Sequence, residues 1–329
     1  MWQLLRHYGV PSKLTNLIRN SYEGVTARVI HHGSLSSPFP IRTGVRQGCI
    51  LSPFLFILAI DWIMKTATAG THHGIQWSDG SQLDDLDFAD DIALLSSSRS
   101  AMQNKTDLVT ASSSRIGLNI HTGKSKFLKV IDQDPAVISI RGEALEEVNN
   151  FTYLGSNIDT MGGTVTDVRL RIGKAWSAFQ QLKRVWKSST LTLNIKMRLL
   201  NTLVKPILLY GSETWRTSVA TTRRLQVFMN TCLRHILRIR WPQIISNEKL
   251  WRRTNQDPIE VELLQRRWRW VGHTLRKAST SCVRQALSWE AIGRRRRGRL
   301  RNTWRRDLRR HLSELQPTWV KSSVSPNIV

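Results

Sequence analysis

Leu86-Asp87-Phe88-Ala89-Asp90-Asp91-Ile92-Ala93-Leu94-Leu95 decides how the front of this chain folds. Two short apolar runs bracket an acidic pair, the pattern of a β-hairpin with the acids at its bend. Aspartate favours turns, so the pair alone says little. Its setting says more, because carboxylates embedded among β-branched and aromatic residues repel each other unless a cation lies between them. Oxygen-only ligands suit Mg²⁺, which takes one or two carboxylates plus substrate phosphates. A pair of such ions, clamping the attacking and leaving oxygens, serves phosphoryl transfer. Alternation along the strand points Asp87 and Phe88 to opposite faces. Asp84 and Asp85 read as solvated turn acids.

Upstream, Ile75-Gln76-Trp77 and Ser81–Leu83 flank Ser78-Asp79-Gly80, a compact hairpin signal. Before that, Arg42-Thr43-Gly44-Val45-Arg46-Gln47-Gly48-Cys49-Ile50-Leu51-Ser52-Pro53 leads into Ser52 as a helix N-cap, with Pro53 at the first helical position. The helix it opens, Phe54 to Met64, is apolar apart from Asp61 and must be buried, and it is too short to span a bilayer. Helices are also predicted over Trp2–His7 and from Ser12 to Gly24. The second carries Leu14, Leu17, Ile18, Ser21 and Tyr22 on one stripe. β-prone stretches follow at Ala27–His31 and Phe39–Arg42. Downstream, a helix from Ser100 to Ile116 is closed by Gly117. Further β-prone pieces are Leu118–Ile120, Phe127–Val130, Val137–Ile140 and Phe151–Leu154. This order predicts an α+β fold, an antiparallel sheet with helices on one face.

Phe88-Ala89-Asp90-Asp91 resembles the catalytic hairpin of non-LTR (LINE-type, RTE-like) retrotransposon reverse transcriptases. The segment Arg42 to Pro53 resembles the part of those enzymes that lines the incoming-nucleotide site. Gly117-Leu118-Asn119-Ile120 with Lys124-Ser125-Lys126 is similar to their next palm motif, and Phe151-Thr152-Tyr153-Leu154-Gly155 to their primer grip. Lys196 to Trp215, including Leu209-Tyr210-Gly211-Ser212-Glu213-Thr214-Trp215, resembles the thumb. The resemblance implies a partial palm over 1–159, a helical thumb-like region over 160–218 and a basic Arg/Trp-rich helical region over 219–329. It implies RNA-templated addition of deoxynucleotides to a primer by two-metal chemistry, with Mg²⁺ held by Asp90 and Asp91, Asp90 being the stronger ligand. Arg46, Gln47 and Gly48 would lie at the nucleotide and template, where glycine permits close backbone approach and arginine meets phosphate. Lys124 would approach the triphosphate and protonate the leaving group, or else is a solvated turn lysine. Tyr153, Leu154 and Gly155 would grip the primer. The implied partners are an RNA template, a DNA primer or target and dNTPs, with no membrane. The implied setting is intracellular, nuclear for the parent element. Such enzymes carry a third palm aspartate on a strand upstream of the helix that opens this chain, so the resemblance also implies a truncated, inactive copy. The alternative is a non-catalytic nucleic-acid-binding protein derived from such an element.

The charge distribution fits a polyanionic partner. Among 329 residues, 49 Lys and Arg stand against 24 Asp and Glu, a net charge of +25, and such self-repulsion destabilises the compact state unless it is screened. Residues 1–159 carry 14 basic and 15 acidic side chains, residues 160–218 carry 10 and 2, and residues 219–329 carry 25 and 7. Amphipathic helices are predicted over Val165–Trp186, Lys196–Leu208 (interrupted at Pro206), Thr222–Arg240 and from Asp257-Pro258-Ile259-Glu260 onward. The last would bury Val261, Leu264, Trp268, Val271 and Leu275. Arg294, Arg295, Arg296 and Arg297 open a run of ten arginines with one acid, Asp307, between Gly293 and Arg310. That density points to nucleic-acid backbones, with Trp304 as the candidate for base stacking. Most other tryptophans read as core. Cys49, Cys232 and Cys282 cannot form a disulfide framework, which suits a reducing compartment. The spacings of Cys232, His235, His273 and Cys282 fit no zinc finger.

Overall fold

A computed structural model describes residues 1–41, 44–70, 73–77, 80–130, 137–160, 164–290 and 303–315. The chain divides into two compact units, Met1–Val148 and Asn149–Val329. Both helices and short strands are present, as an α+β fold requires.

The first unit holds helices α1 (Trp2–His7), α2 (Ser12–Tyr22), α3 (Leu51–Thr68) and α4 (Arg99–Arg115). Its strands pair two by two: β1 (Thr26–Ala27) with β4 (Phe39–Pro40), and β2 (Ile30–His31) with β3 (Ser34–Leu35). Farther on, β5 (Ile75–Gln76) pairs with β6 (Gln82–Leu83), and β7 (Asp85–Phe88) with β8 (Asp91–Leu94). Last, β9 (Lys126–Phe127) lies parallel to β12 (Glu146–Glu147), and β10 (Ser139–Ile140) pairs antiparallel with β11 (Glu143–Ala144). The expected continuous antiparallel sheet is therefore replaced, among the described residues, by separate ladders, one of them parallel. Each described strand is only two to four residues long and pairs with a single partner.

The core of this unit is α3 against α4. Ile60, Ile63, Met64 and Ala67 meet Val109, and Ile92 and Leu94 of β8 pack onto the same cluster. Most of the buried face of α4 is hydroxyl-bearing rather than apolar. Thr106, Thr110 and Ser113 each donate to the carbonyl four residues earlier. That pattern satisfies their hydroxyls without a second partner. Three sequence expectations shift here. Helix α3 begins at Leu51, so Ser52 lies inside the first turn and buried, not at the cap. It runs 18 residues, long and apolar enough to cross a bilayer by length and composition, yet it serves as the core helix of this unit. Helix α2 turns Thr15 inward and leaves Leu14 and Leu17 exposed, the reverse of the predicted stripe.

The second unit opens with the hairpin β13 (Asn150–Tyr153) and β14 (Ser156–Asp159), followed by α5 (Thr164–Gln181), α6 (Lys183–Lys187), α7 (Leu193–Leu199) and α8 (Lys205–Leu208). Then come α9 (Val219–Ile236), α10 (Asn247–Thr254), α11 (Ile259–Leu275), α12 (Cys282–Ser288) and α13 (Trp304–Leu315). Val168, Ala175, Phe179, Leu200, Leu208, Leu225, Cys232, Leu233 and Leu263 belong to one large core. Between α7 and α8 the backbone widens into a π-helical turn, Leu200–Val204, just before Pro206. Proline has no N–H to continue the ladder, and the wider turn absorbs the missing bond. Ser218 caps α9 by accepting from the Thr221 N–H. Helix α11 departs from its predicted start: Pro258 rather than Asp257 is the cap, and Gln226 Oε1 accepts the Ile259 N–H at 2.8 Å. Its buried face is Ile259, Leu263, Arg267, Val271 and Thr274, while Val261 and Leu275 are exposed. The rotation follows from Arg267, whose guanidinium is paired inside the unit with Asp307.

Candidate active site

The acidic pair does sit at a hairpin bend. Strands β7 and β8 pair Phe88 with Asp91 and Asp85 with Leu94, leaving Ala89 and Asp90 as the two-residue loop. Two-residue hairpin loops need a positive φ, usually met by glycine. Here Ala89 takes φ +55°, a conformation that costs an L-residue about 1 kcal/mol. Asp90 and Asp91 are exposed at the tip, and Phe88 beside them is 64% exposed. Ile92 and Leu94 anchor the other face of the hairpin in the core.

The open end of the hairpin is fixed by a residue that sequence reading missed. Lys105 of α4 is fully buried, and its Nζ donates to Asp84 Oδ1 (2.7 Å), Asp84 O (2.9 Å) and Leu95 O (2.6 Å). Asp84 and Leu95 flank the two strands and are themselves joined by the Leu95 N–H to Asp84 O bond at 2.8 Å. One ammonium thus satisfies three oxygens and ties both strands to α4. Asp84 is therefore the half-buried ion-pair partner of a buried lysine, not a solvated turn acid, and Asp85 is a half-buried strand residue. No sequence signal marks Lys105, a lysine in a helix of mostly polar residues.

Asp85 and Asp87 lie on the same face of β7, two residues apart. Desolvation, the charge of Asp85, the hydrogen bond between the two carboxyls and the charge of Asp61 push Asp87 up to about 7. Asp85 is also raised, by desolvation first. Asp61 is held low, because Lys65 reaches it at 2.8 Å and the Tyr8 hydroxyl donates to it at 2.5 Å. Burial and that same carboxylate push Tyr8 up to about 12. No group of three or more His, Cys, Asp or Glu side chains able to hold a metal forms among the described residues. Asp90 and Asp91 alone are an oxygen-only pair that fits Mg²⁺ completed by phosphate oxygens.

The predicted nucleotide segment forms a turn. The Cys49 N–H donates to Arg46 O at 3.3 Å, and Gly48 has φ +79°, the value a type II turn demands at its third position. A Cβ at Gly48 would meet nothing within 4 Å, so glycine is required by its backbone angle rather than by close packing. Gln47 is exposed. The Arg46 guanidinium lies 4.3 Å over the Tyr22 ring and donates to Ser21 O and, at 3.3 Å, to Ser21 Oγ. It is thereby committed to α2, while its Nε is buried without a partner. Cys49 is held below the usual thiol range by the Leu51 N–H first, then by Ser52 and Arg46. Lys124 ends a 3₁₀ turn, Thr122–Lys124, exposed and in no ion pair with a described residue.

In the second unit, Tyr153 ends β13, and Leu154 (φ +47°) with Gly155 (φ +78°) forms the tight bend into β14. Tyr210 OH donates to Leu154 O at 3.0 Å and Arg171 Nη2 to Gly155 O at 2.7 Å, with Arg171 stacked 4.6 Å over Tyr210. Asp167 completes the clamp, accepting from Asn157 N–H, Arg171 and the Trp215 indole. Trp304 is half-buried, donates to Glu213 O at 2.9 Å and packs edge-on against Trp270 at 5.9 Å. Arg294, Arg295, Arg296 and Arg297, like Arg42 and Thr43, lie outside the described residues.

Known proteins resemble this chain over most of its length. Residues 1–158 match the family described as reverse transcriptase (RNA-dependent DNA polymerase), and residues 178–210 match a domain of unknown function. A putative uncharacterized transposon-derived protein of Caenorhabditis elegans is 26% identical over 246 residues, 71% of this chain and 87% of that protein. The probable RNA-directed DNA polymerase from transposon BS of Drosophila melanogaster is 26% identical over 277 residues, 78% of this chain. The RNA-directed DNA polymerase from mobile element jockey of Drosophila funebris is 27% identical over 248 residues, 70% of this chain. The chain spans only 30% and 25% of those two polymerases. The front of the chain thus matches the reverse transcriptase family, and the two polymerases it resembles are named for a transposon and a mobile element.

Proposed function

We propose that the chain supplies the Asp90–Asp91 hairpin of an RNA-directed DNA polymerase that copies an RNA template onto a DNA primer. The observation that carries this is the hairpin itself: two exposed carboxylates on a tight bend, held from behind by Lys105. Asp90 and Asp91 would hold Mg²⁺, which when bound neutralises phosphate charge and lowers the barrier to phosphoryl transfer. Around that point the chain's own residues position rather than react. Ala89 fixes the bend, Gly48 fixes the nucleotide-segment turn, and Lys105 keeps the strands in register. Two carboxylates alone make an incomplete two-metal set, so the proposed part played by this chain is that of a partial site, inactive by itself.

The test has two arms. Mn²⁺ titrated into isotope-labelled protein should broaden resonances of Phe88 to Ile92, and Asp90→Asn should abolish that broadening. Purified chain should incorporate no dNTP on a primed RNA template. Broadening that ignores Asp90→Asn sinks the metal assignment, and incorporation that Asp90→Asn removes shows the site to be complete.

A further inference from the structure

The turn Arg240-Trp241-Pro242-Gln243, between α9 and α10, presents the most exposed tryptophan among the described residues. Trp241 is 90% exposed, while Trp176, the next most exposed, is 36%. Indole is a large apolar surface, and leaving it fully in water forfeits roughly 2 kcal/mol of burial. Ile244, also 90% exposed, stands close by in sequence. The tip is held, not loose. The Gln243 N–H donates to Arg240 O at 2.8 Å, and the Ile239 N–H to Arg234 O at 3.0 Å. Arg234 reaches Asn247 Oδ1 at 2.8 Å and Ile245 O at 3.5 Å. Ile239 packs on the core at one end, and Ser246 caps α10 at the other by accepting the Lys249 N–H.

The charge around this tip is one-sided. Between Val219 and Gln256 there are eight Lys and Arg and a single acid, Glu248. Arg240 is exposed and pairs with no acid among the described residues. An exposed indole on a hydrogen-bonded turn, flanked by an uncommitted guanidinium, matches the two chemistries of single-stranded nucleic acid, a bare base face and a phosphodiester. We propose that Trp241 stacks on an unpaired base while Arg240 contacts an adjacent phosphate, making this turn a single-strand contact that does not depend on the Asp90 hairpin. The indole that the sequence offered for stacking, Trp304, is occupied within its own unit, and Trp241 takes that role.

The full chain is titrated with a short single-stranded oligonucleotide, the same strand with abasic positions, and its duplex, across a salt series. Trp241→Ala should weaken single-strand binding by about 5- to 150-fold, the range base stacking supplies, with unchanged salt slope. Trp241→Phe should recover most of that loss. On the abasic strand and the duplex Trp241→Ala should do little. Arg240→Ala should instead flatten the log–log slope by about 0.7. Because Trp241 supports no packing, folding of the variant is not at stake. Equal losses on all three ligands, or none on the single strand, would overturn the proposal; in either case the turn serves some other partner, such as a protein or a lipid surface. Trp241→Ala should leave the Mn²⁺ broadening of Phe88 to Ile92 unchanged, so failure here is separate from failure of the polymerase reading.

Discussion

Asp87 shows how the hairpin stores electrostatic cost. Its folded value of about 7 lies far above an ordinary aspartate, raised by desolvation and by Asp85. The folded state therefore binds the proton more tightly than the unfolded chain does. Nothing is lost below about pH 4, where both states are protonated; destabilisation then grows until pH passes 7 and stays constant above it. Asp87→Asn should raise the melting temperature well above pH 7 and leave it unchanged in acid. A melting series across pH reads this, and equal shifts at both ends would refute the assignment. Thiol chemistry offers a second test at this scale. Cys49 is lowered by N–H groups at the start of α3, whereas Cys232 is buried and pushed up to about 12, and Cys282 is raised by desolvation. Since the thiolate is the nucleophile, Cys49 should alkylate first and Cys232 only on unfolding, as peptide mapping after timed alkylation would show.

At the scale of elements, buried ion pairs join segments that sequence patterning treats as separate. Lys105 ties α4 to the hairpin, and Asp307 ties α13 to α11. The Asp307 carboxylate is fully buried, accepts from Arg267 at 3.0 Å and Arg310 at 2.7 Å, and also accepts the Thr217 hydroxyl. Desolvation would raise it, but bonds from Thr217 and Arg267 prevail and hold it below the usual range. Its stabilisation is thus complete above the unfolded value and lost as pH falls through the lower folded one. Asp307→Asn should cost about 3–5 kcal/mol at neutral pH, because it strands a buried guanidinium. Urea melts should show that loss shrinking in strong acid. Lys105→Met should cost a similar ~3–5 kcal/mol, and pairing it with Asp84→Leu should restore part of it if the two residues act as a unit. Neither pair was legible in the sequence. The hairpin was, because alternation and turn chemistry are local signals; Phe88 to Asp91 carries both. Lys105 and Asp84 lie 21 positions apart, and Arg267 and Asp307 lie 40 apart. A charged residue on a helix reads as solvated until its partner is seen. The same bias displaced the predicted face of α11, where Val261 and Leu275 were expected inside and Arg267 lies there instead.

Over the whole molecule, the excess positive charge is the property that reaches farthest. Residues 1–159 are nearly neutral, and the +18 of residues 219–329 accompanies the exposed Trp241 turn and the Arg294–Arg297 run. The sequence already showed this asymmetry; what it could not show is which arginines are spent internally. Arg267 is consumed by Asp307, Arg171 by Asp167 and Arg46 by α2, so formal charge overstates what a nucleic acid meets. Binding to RNA or DNA should therefore depend steeply on salt, but with fewer released counterions than a count of basic residues suggests. Each neutralised phosphate contributes a log–log slope of about −0.7 on single strands and about −0.9 on duplex DNA. Replacing Arg294, Arg295, Arg296 and Arg297 with alanine should flatten the slope on single strands by up to about three units and weaken all sequences alike. Replacing Arg267 should not flatten it, because that guanidinium faces the protein interior, although the variant should melt earlier. Filter binding across a salt series separates the two. An unchanged slope in the four-arginine variant would show that the run serves something other than phosphate contact, leaving the Trp241 turn to carry the case for nucleic-acid binding by this half of the chain.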